Sequence, residues 1–130
     1  MPLTQQQFTD RFGVDELIAL TDPDNRATVK TEVFAAAVQD AFAEVASTLH
    51  WVIKLDSEAL PEIIIPILAD LTRHRLYATA ASESILVRTA EARELLGRLA
   101  TGAVQFQHHS PVDVRVRTDT GLSEGLWTTS

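Results

Sequence analysis

Residues 31–54, TEVFAAAVQDAFAEVASTLHWVIK, decide the fold. Phe34, Val38, Ala41, Phe42, Val45, Leu49 and Val52 recur at steps of three and four, while Glu32, Gln39, Asp40, Glu44 and Ser47 fall elsewhere on the helical wheel. This is the apolar stripe and wet face of one amphipathic helix, expected to run from Thr31 to Lys54. Thr31 is placed to cap the first turn, Glu32 sits at the positive end of the helix dipole, and neither Gly nor Pro interrupts the run. At ~1.5 Å per residue it would span about 35 Å, the width of a small domain, so the other elements must pack along it.

Toward the N-terminus, Thr4 can cap Gln7 while Gln7 reaches back, and Leu3 before the cap can pack on Phe8 after it. Together these make a capping box and a hydrophobic staple. Phe8 and Phe12 share a face, and Gly13 is expected to end this first helix in a left-handed stop. A second short helix follows at about Val14 to Leu20, burying Leu17, Ile18 and Leu20 against the long one. Thr21 to Lys30 is polar, holds Pro23 and lacks apolar periodicity, so it reads as a loop. Asp22 and Asp24 suggest calcium, but Arg26, Ala27 and Val33 occupy positions where a calcium loop needs an oxygen ligand, Gly and Glu. A surface turn with aspartate caps is the expectation there.

On the other side, Asp56, Ser57 and Pro61 mark a connection. Ile63, Ile64, Ile65, Ile67, Leu68 and Leu71 then form a nearly continuous apolar run, which suits either a buried strand or a helix buried on most of its circumference. The signal continues through Leu76, Tyr77 and Ala78 at helical spacing, longer than a usual strand, and favours helix. Pro66 lacks an amide donor, so the helix is expected to start near Pro61 with a distortion at Pro66. Ser82 caps a last helix in which Ile85, Leu86, Ala92, Leu96 and Leu99 line one side. Arg88, Glu91, Glu94 and Arg98 face solvent, and Gly102 stands at the left-handed C-terminal cap. Beyond it Val104, Phe106, Val112, Val114 and Val116 alternate with polar residues at a period of two, which fits short strands or an extended arm. Thr118 to Ser130 has the polar composition of a chain terminus, apart from Leu126 and Trp127.

A chain of 130 residues can bury a core without staples. It has no cysteine, which excludes disulfides, thiolate catalysis and thiolate-ligated metals. The Met-Pro-Leu-Thr-Gln start has neither a basic region nor an apolar core, and no apolar run reaches ~18 residues, so a soluble protein, cytoplasmic when made, is expected without signal peptide or membrane span. The formal net charge of -7 is dispersed, and the nearest basic cluster is Arg73, His74, Arg75. Counterion release cannot drive binding to a nucleic-acid backbone without a basic patch, which argues against sequence-specific reading of DNA. An acidic wall still permits DNA to pass, since it repels the phosphates and leaves them mobile.

The search for chemistry yields little. Of the four histidines, His74 stands four residues after Asp70 on one helix face, a usable ligand spacing that also suits a surface hydrogen bond or ion pair. His108 and His109 are neighbours in the alternating segment and point to opposite faces. No serine lies in a Gly-x-Ser-x-Gly elbow, and the five glycines form no phosphate-cradling loop. Paired acids such as Asp15 and Glu16, or Glu91 and Glu94, fall on solvent faces. No catalytic, cofactor or metal constellation is assigned, and a binding or structural module is left by elimination.

The order of these signals resembles the Mu-type phage head-tail joining proteins. It is carried by Arg11-Phe12-Gly13 with Asp15 to Asp22, by Ala37, Asp40, Ala41, Glu44, Val45 and Leu49 of the long helix, by Pro66 to Tyr77, and by Ala92 to Leu96 running to Gly102. His50-Trp51 stands where that family tends to have Arg-Tyr, and the proline after it comes later, at Pro61. The resemblance implies an adaptor without catalytic residues that sits in the virion neck between portal and tail, usually as a ring of copies. The expected architecture is an all-α domain, residues 1–102, of four or five helices around one long central helix, followed by an extended or short β arm, residues 103–130. Its expected role is structural, as a head-completion connector in virion assembly, with itself and the portal or neighbouring neck and tail proteins as partners. Location would be the host cytoplasm during assembly and then the neck. Arg73, Arg75, Phe106, Val114 and Trp127 are the candidate interaction residues. The alternatives are a small metal-dependent helical enzyme using Asp70, His74 and His50, and an acidic regulatory module binding a host protein.

Overall fold

A computed structural model describes residues 1–22 and 28–102, most of them in helix. The helices are α1 (Gln5–Phe12), α2 (Val14–Thr21), α3 (Thr31–Leu49), α4 (Ile64–Tyr77) and α5 (Glu83–Thr101), with a 3-10 turn at Ala78–Ala80. Among the described residues there is no strand, and the all-α expectation holds. The period-two segment with Phe106, Val114 and Trp127 lies outside the described residues, as do Pro23 to Ala27 of the polar loop.

The first turn of α1 is built as its sequence dictates. Thr4 Oγ1 accepts the Gln7 amide at 3.1 Å, and Gln7 Oε1 accepts the Thr4 amide at 2.8 Å. Leu3 and Phe8 flank the cap in one fully buried cluster. Gly13 ends α1, donating its amide to Thr9 O at 2.9 Å, and directly precedes α2. Its φ of 94° is the positive value that glycine alone adopts cheaply, but ψ of 149° places it outside the left-handed helical region that had been expected. An extended glycine rather than a helical one lets α2 start at once on a new axis.

α3 forms the centre, with Phe34, Val38, Ala41, Val45 and Leu49 wholly buried. It stops five residues short of Lys54. In its last turns Ser47 and Thr48 both turn their hydroxyls onto Glu44 O, at 3.1 and 2.8 Å, and His50 Nδ1 lies 2.8 Å from Ser47 O. Of these two carbonyls, that of Ser47 is one that a further turn would use, and the His50 ring meets it instead. The amides of Val52 and Ile53 then both return to Leu49 O, and the chain leaves the helix with Val52 exposed. Nor does Thr31 cap the start: it is already helical, Lys30 is the capping position, and the Thr31 hydroxyl accepts from Gln5 Nε2 at 3.4 Å.

α4 begins at Ile64, later than Pro61, after two tight turns from Pro61 O to Ile64 and Glu62 O to Ile65. Pro66 is consequently the third helical residue, where an amide would have no acceptor within the helix, and the expected distortion is unnecessary. Ile64, Ile67, Leu68, Ala69, Leu71 and Thr72 bury a broad face. The chain reverses at Ala78, whose φ of 51° is positive for a residue with a side chain. Ser82 then caps α5 by accepting the Ile85 amide at 3.4 Å, and Gly102 closes it in the left-handed region at φ 82° and ψ 5°. Ile85, Ala92, Leu96 and Leu99 point inward as expected, whereas Leu86 does not and is 48% exposed. One residue of helix turns about 100°, so Leu86 cannot share the direction of Ile85.

α4 lies between α3 and α5, and α1–α2 cover the side of α3 and α4. Phe8 meets Phe12 and Phe34 edge-on, with ring centroids 4.9 and 5.6 Å apart, joining the cover to the core. The ends of the polar loop are tied inside: buried Thr21 accepts the Lys30 amide at 3.1 Å, and buried Asp22 accepts the Thr28 amide at 3.2 Å. Asp22 is thus an interior anchor and not a surface cap.

Candidate functional site

Two charged clusters join the helices. In the first, Arg73 of α4 grips Glu16 of α2 with Nε to Oε2 at 2.6 Å and Nη2 to Oε1 at 2.9 Å. Its guanidinium also lies 4.3 Å from the centre of the Phe12 ring. Both charged side chains are only 18% exposed, and the planar fork is matched to the carboxylate on both oxygens. The Glu16 carboxylate holds the Arg73 guanidinium above its ordinary value, against the opposing effect of burial. Next to it Arg88 of α5 pairs with Asp70 at 3.2 Å. Burial raises the Asp70 carboxyl, and the attraction of Arg88 only partly offsets that.

In the second cluster Glu44, on the wet face of α3, accepts from Arg93 at 2.8 and 3.2 Å and from Arg75 at 3.1 Å. The Arg93 hydrogen bonds hold its carboxyl below the ordinary range against the effect of burial, and Arg75 adds to this. Asp40, His74, Arg75, Ala78, Thr79 and Arg93 line an open depression of about 460 Å³ beside this cluster.

The candidate residues therefore have distinct places. Arg73 faces inward onto Glu16 and Phe12, and Arg75 is at the surface, engaged with Glu44. The basic cluster at 73–75 has both its arginines neutralised by carboxylates of the same domain. Phe106, Val114 and Trp127 lie outside the described residues. Asp70 is turned to Arg88 rather than to His74, and among the described residues no three His, Asp or Glu side chains converge in a way that could hold a metal ion. No helix among them is long and apolar enough to cross a membrane.

What sequence reasoning missed is the outer apolar surface. Trp51, just past α3, is 87% exposed, with the His50 ring 4.4 Å away between centroids. Val52 is 46% exposed, and on α5 Leu86 and Val87 are 48% and 49% exposed. For Val87 the signal was present, since it stands among Glu83, Arg88, Glu91 and Glu94 on the solvent side of the wheel. For Trp51 it was hidden by continuing the apolar spacing of α3 too far.

Comparison with known families gives a match over residues 3–121 to the family described as Bacteriophage Mu, Gp36. The matched stretch runs past Gly102, taking in Phe106 and Val114 and stopping short of Trp127. A search among curated proteins finds no match.

Proposed function

The chain belongs to the bacteriophage Mu Gp36 family, and from that premise we propose that it is a structural connector acting in virion assembly, joining the DNA-filled head to the tail. The observation that carries this reading is the family match over nearly the whole chain, taken with the order of motifs that resembles the head-tail joining proteins. The connector sits in the neck as a ring of copies, contacts the portal on one side and a neck or tail protein on the other, and acts through protein surfaces without catalysis, cofactor or metal.

The physical properties of the chain are compatible with that work. A net charge of -7 makes an inner wall that repels DNA phosphates and lets the duplex slide. Arg73, Arg75 and Arg93 are each paired with a carboxylate of their own domain, which lessens the pull of these three on DNA phosphates. Residues 103–130 are proposed as the segment that engages the portal or the next subunit, with Phe106, Val114 and Trp127 as its apolar contacts.

The test is deletion of the gene from the phage that encodes it, with particles counted by electron microscopy. Accumulation of DNA-filled heads and free tails, reversed by supplying the intact chain but not a chain truncated after Gly102, is the expected result. Normal yields of joined virions from the deletion would refute the connector. Joining restored by the truncated chain would refute the role of residues 103–130.

A further inference from the structure

The corner between α4 and α5 holds a residue with a side chain in backbone territory that suits glycine. Ala78 sits at φ 51° and ψ -121°, which a residue with a Cβ adopts only under strain. Among the described residues the other positive-φ positions, Gly13 and Gly102, are glycines. Apart from the Ser82 cap, nothing in the local sequence asks for a corner here. Tyr77-Ala78-Thr79-Ala80-Ala81-Ser82 contains neither Gly nor Pro, and alanine is the best of helix formers. Ala78–Ala80 already wind as a 3-10 turn, followed by Ala81 at ψ 133° and Ser82 at ψ 167° in extended backbone. Turning these few angles into the helical region would join α4 and α5 in one helix from Ile64 to Thr101. What opposes this is the seat of α5 on α3 and α4. Ile85, Thr89, Ala92, Leu96 and Leu99 are buried in it, Arg88 pairs with Asp70, and Arg93 pairs with Glu44.

We infer that α5 exchanges between copies of this chain: the corner straightens, and α5 of one copy takes the seat on α3 and α4 of another. The occupant follows from the seat itself. A second α5 brings the same buried line, and its Arg88 and Arg93 meet Asp70 and Glu44 as the chain's own do. Every contact between α5 and its seat that opening breaks is therefore regained between copies. The exchanged form differs at the corner, where the strain at Ala78 is relieved and the helix gains turns at the loss of the Ser82 cap. Short hinges under strain favour such exchange. Arg75 stays with the Glu44 of its own copy in both forms, so each Glu44 then joins two copies through Arg75 and Arg93. Reciprocal exchange closes a dimer. Exchange passed from each copy to the next can close a ring, and in that form alone the inference rests on the connector reading.

The test unfolds the full-length chain in urea, refolds it at high protein concentration and separates the products by size. A slowly dissociating oligomer is expected beside the monomer. Ala78→Gly relieves the corner in the monomer and disfavours the joined helix. It should raise the thermal midpoint of the monomer and cut the oligomer by about tenfold or more. Distance reads the exchange itself. The chain has no cysteine, so Asp70→Cys with Arg88→Cys places spin labels at those positions alone, and the labelled chain is refolded in an excess of unlabelled chain. The two positions are neighbours in the monomer, where their side chains form a 3.2 Å ion pair. In the oligomer they should stand about 27 Å apart within one chain, at ~1.5 Å per residue of joined helix. Charge exchange gives a second reading without labels. Glu44→Arg and Arg93→Glu chains each oppose like charges in their own seat, and mixing matches both pairs only where α5 is exchanged, so the mixture should give several-fold more oligomer than either alone. No oligomer from the intact chain, an oligomer that keeps the short label distance, one as abundant with Ala78→Gly, or no gain on mixing would overturn the exchange. The connector reading is scored separately by particle counts from the gene deletion, so either can fail while the other stands.

Discussion

The corner between α1 and α2 and the segment that follows α3 each place an aromatic ring beside a basic side chain, and they put the pair to opposite uses. At the corner, Phe12 lies under the Arg73 guanidinium, which also grips Glu16, and ring and charge are shielded together between three helices. After α3, the His50 ring stands 4.4 Å from that of Trp51, which is 87% exposed, and Lys54 follows three residues on. A carboxylate reaching in from another element makes the first pair a clamp on the fold. Its absence among the described residues leaves the second pair available to something outside. The lesson is that residue type does not separate stabilising from binding aromatics; the elements that converge on them do.

The comparison is broken most violently at the corner. Phe8 is fully buried and edges against both Phe12 and Phe34, so Phe8→Ala should cost about 3–5 kcal/mol, and chemical denaturation would read it as a much earlier midpoint. Arg73→Ala should come next, at about 2–3 kcal/mol, because it strands the shielded Glu16 carboxylate and removes the cation from Phe12. For a domain of this size that is a fall of roughly 10 °C or more in thermal midpoint. Arg73→Lys should recover only part of it, since an ammonium cannot make both hydrogen bonds in one plane.

Smaller effects are expected at Glu44. Its carboxyl is held below the ordinary value of 4.5 in the folded state, so its contribution is fully present above that value and is lost as pH falls through the folded one. Asp70 has the opposite sign: burial raises it, its ionisation costs stability above the folded value, and the cost disappears on acidification. Glu44→Gln should therefore destabilise by under about 1 kcal/mol near neutral pH, the arginine partners being well exposed, and by nothing once the carboxyl is protonated in both states. Urea unfolding across an acid series measures this. Trp51→Ser should have the least effect on stability, within about 0.5 kcal/mol, since the ring makes so little contact with the fold.

These differences also mark what the chain disclosed before its fold was known. The Thr4–Gln7 box, the Ser82 cap, the Gly102 stop and the broad apolar face of α4 were legible because each depends on residues a few positions apart. The end of α3 was not, because the apolar spacing continues to Val52 while the His50 ring meets the Ser47 carbonyl and the Val52 and Ile53 amides both return to Leu49 O. Arg73 was read as a contact residue from its basic neighbours, whereas its partner Glu16 stands 57 positions away. Leu86 was assigned inward by averaging over α5, yet the wheel already set it apart from Ile85. The outward surface was least legible of all, since exposure of Trp51 is decided by where a helix stops and what fails to cover it.

The central claim is that this fold is held by its interior clamps and works through its outer surface. Virion yield from phage carrying Trp51→Ser, with the thermal midpoint of the purified variant recorded alongside, tests it most directly. The account predicts an unchanged midpoint together with loss of joined particles and accumulation of DNA-filled heads and free tails. Joined particles at the unmodified level, from a chain with that midpoint, would contradict it.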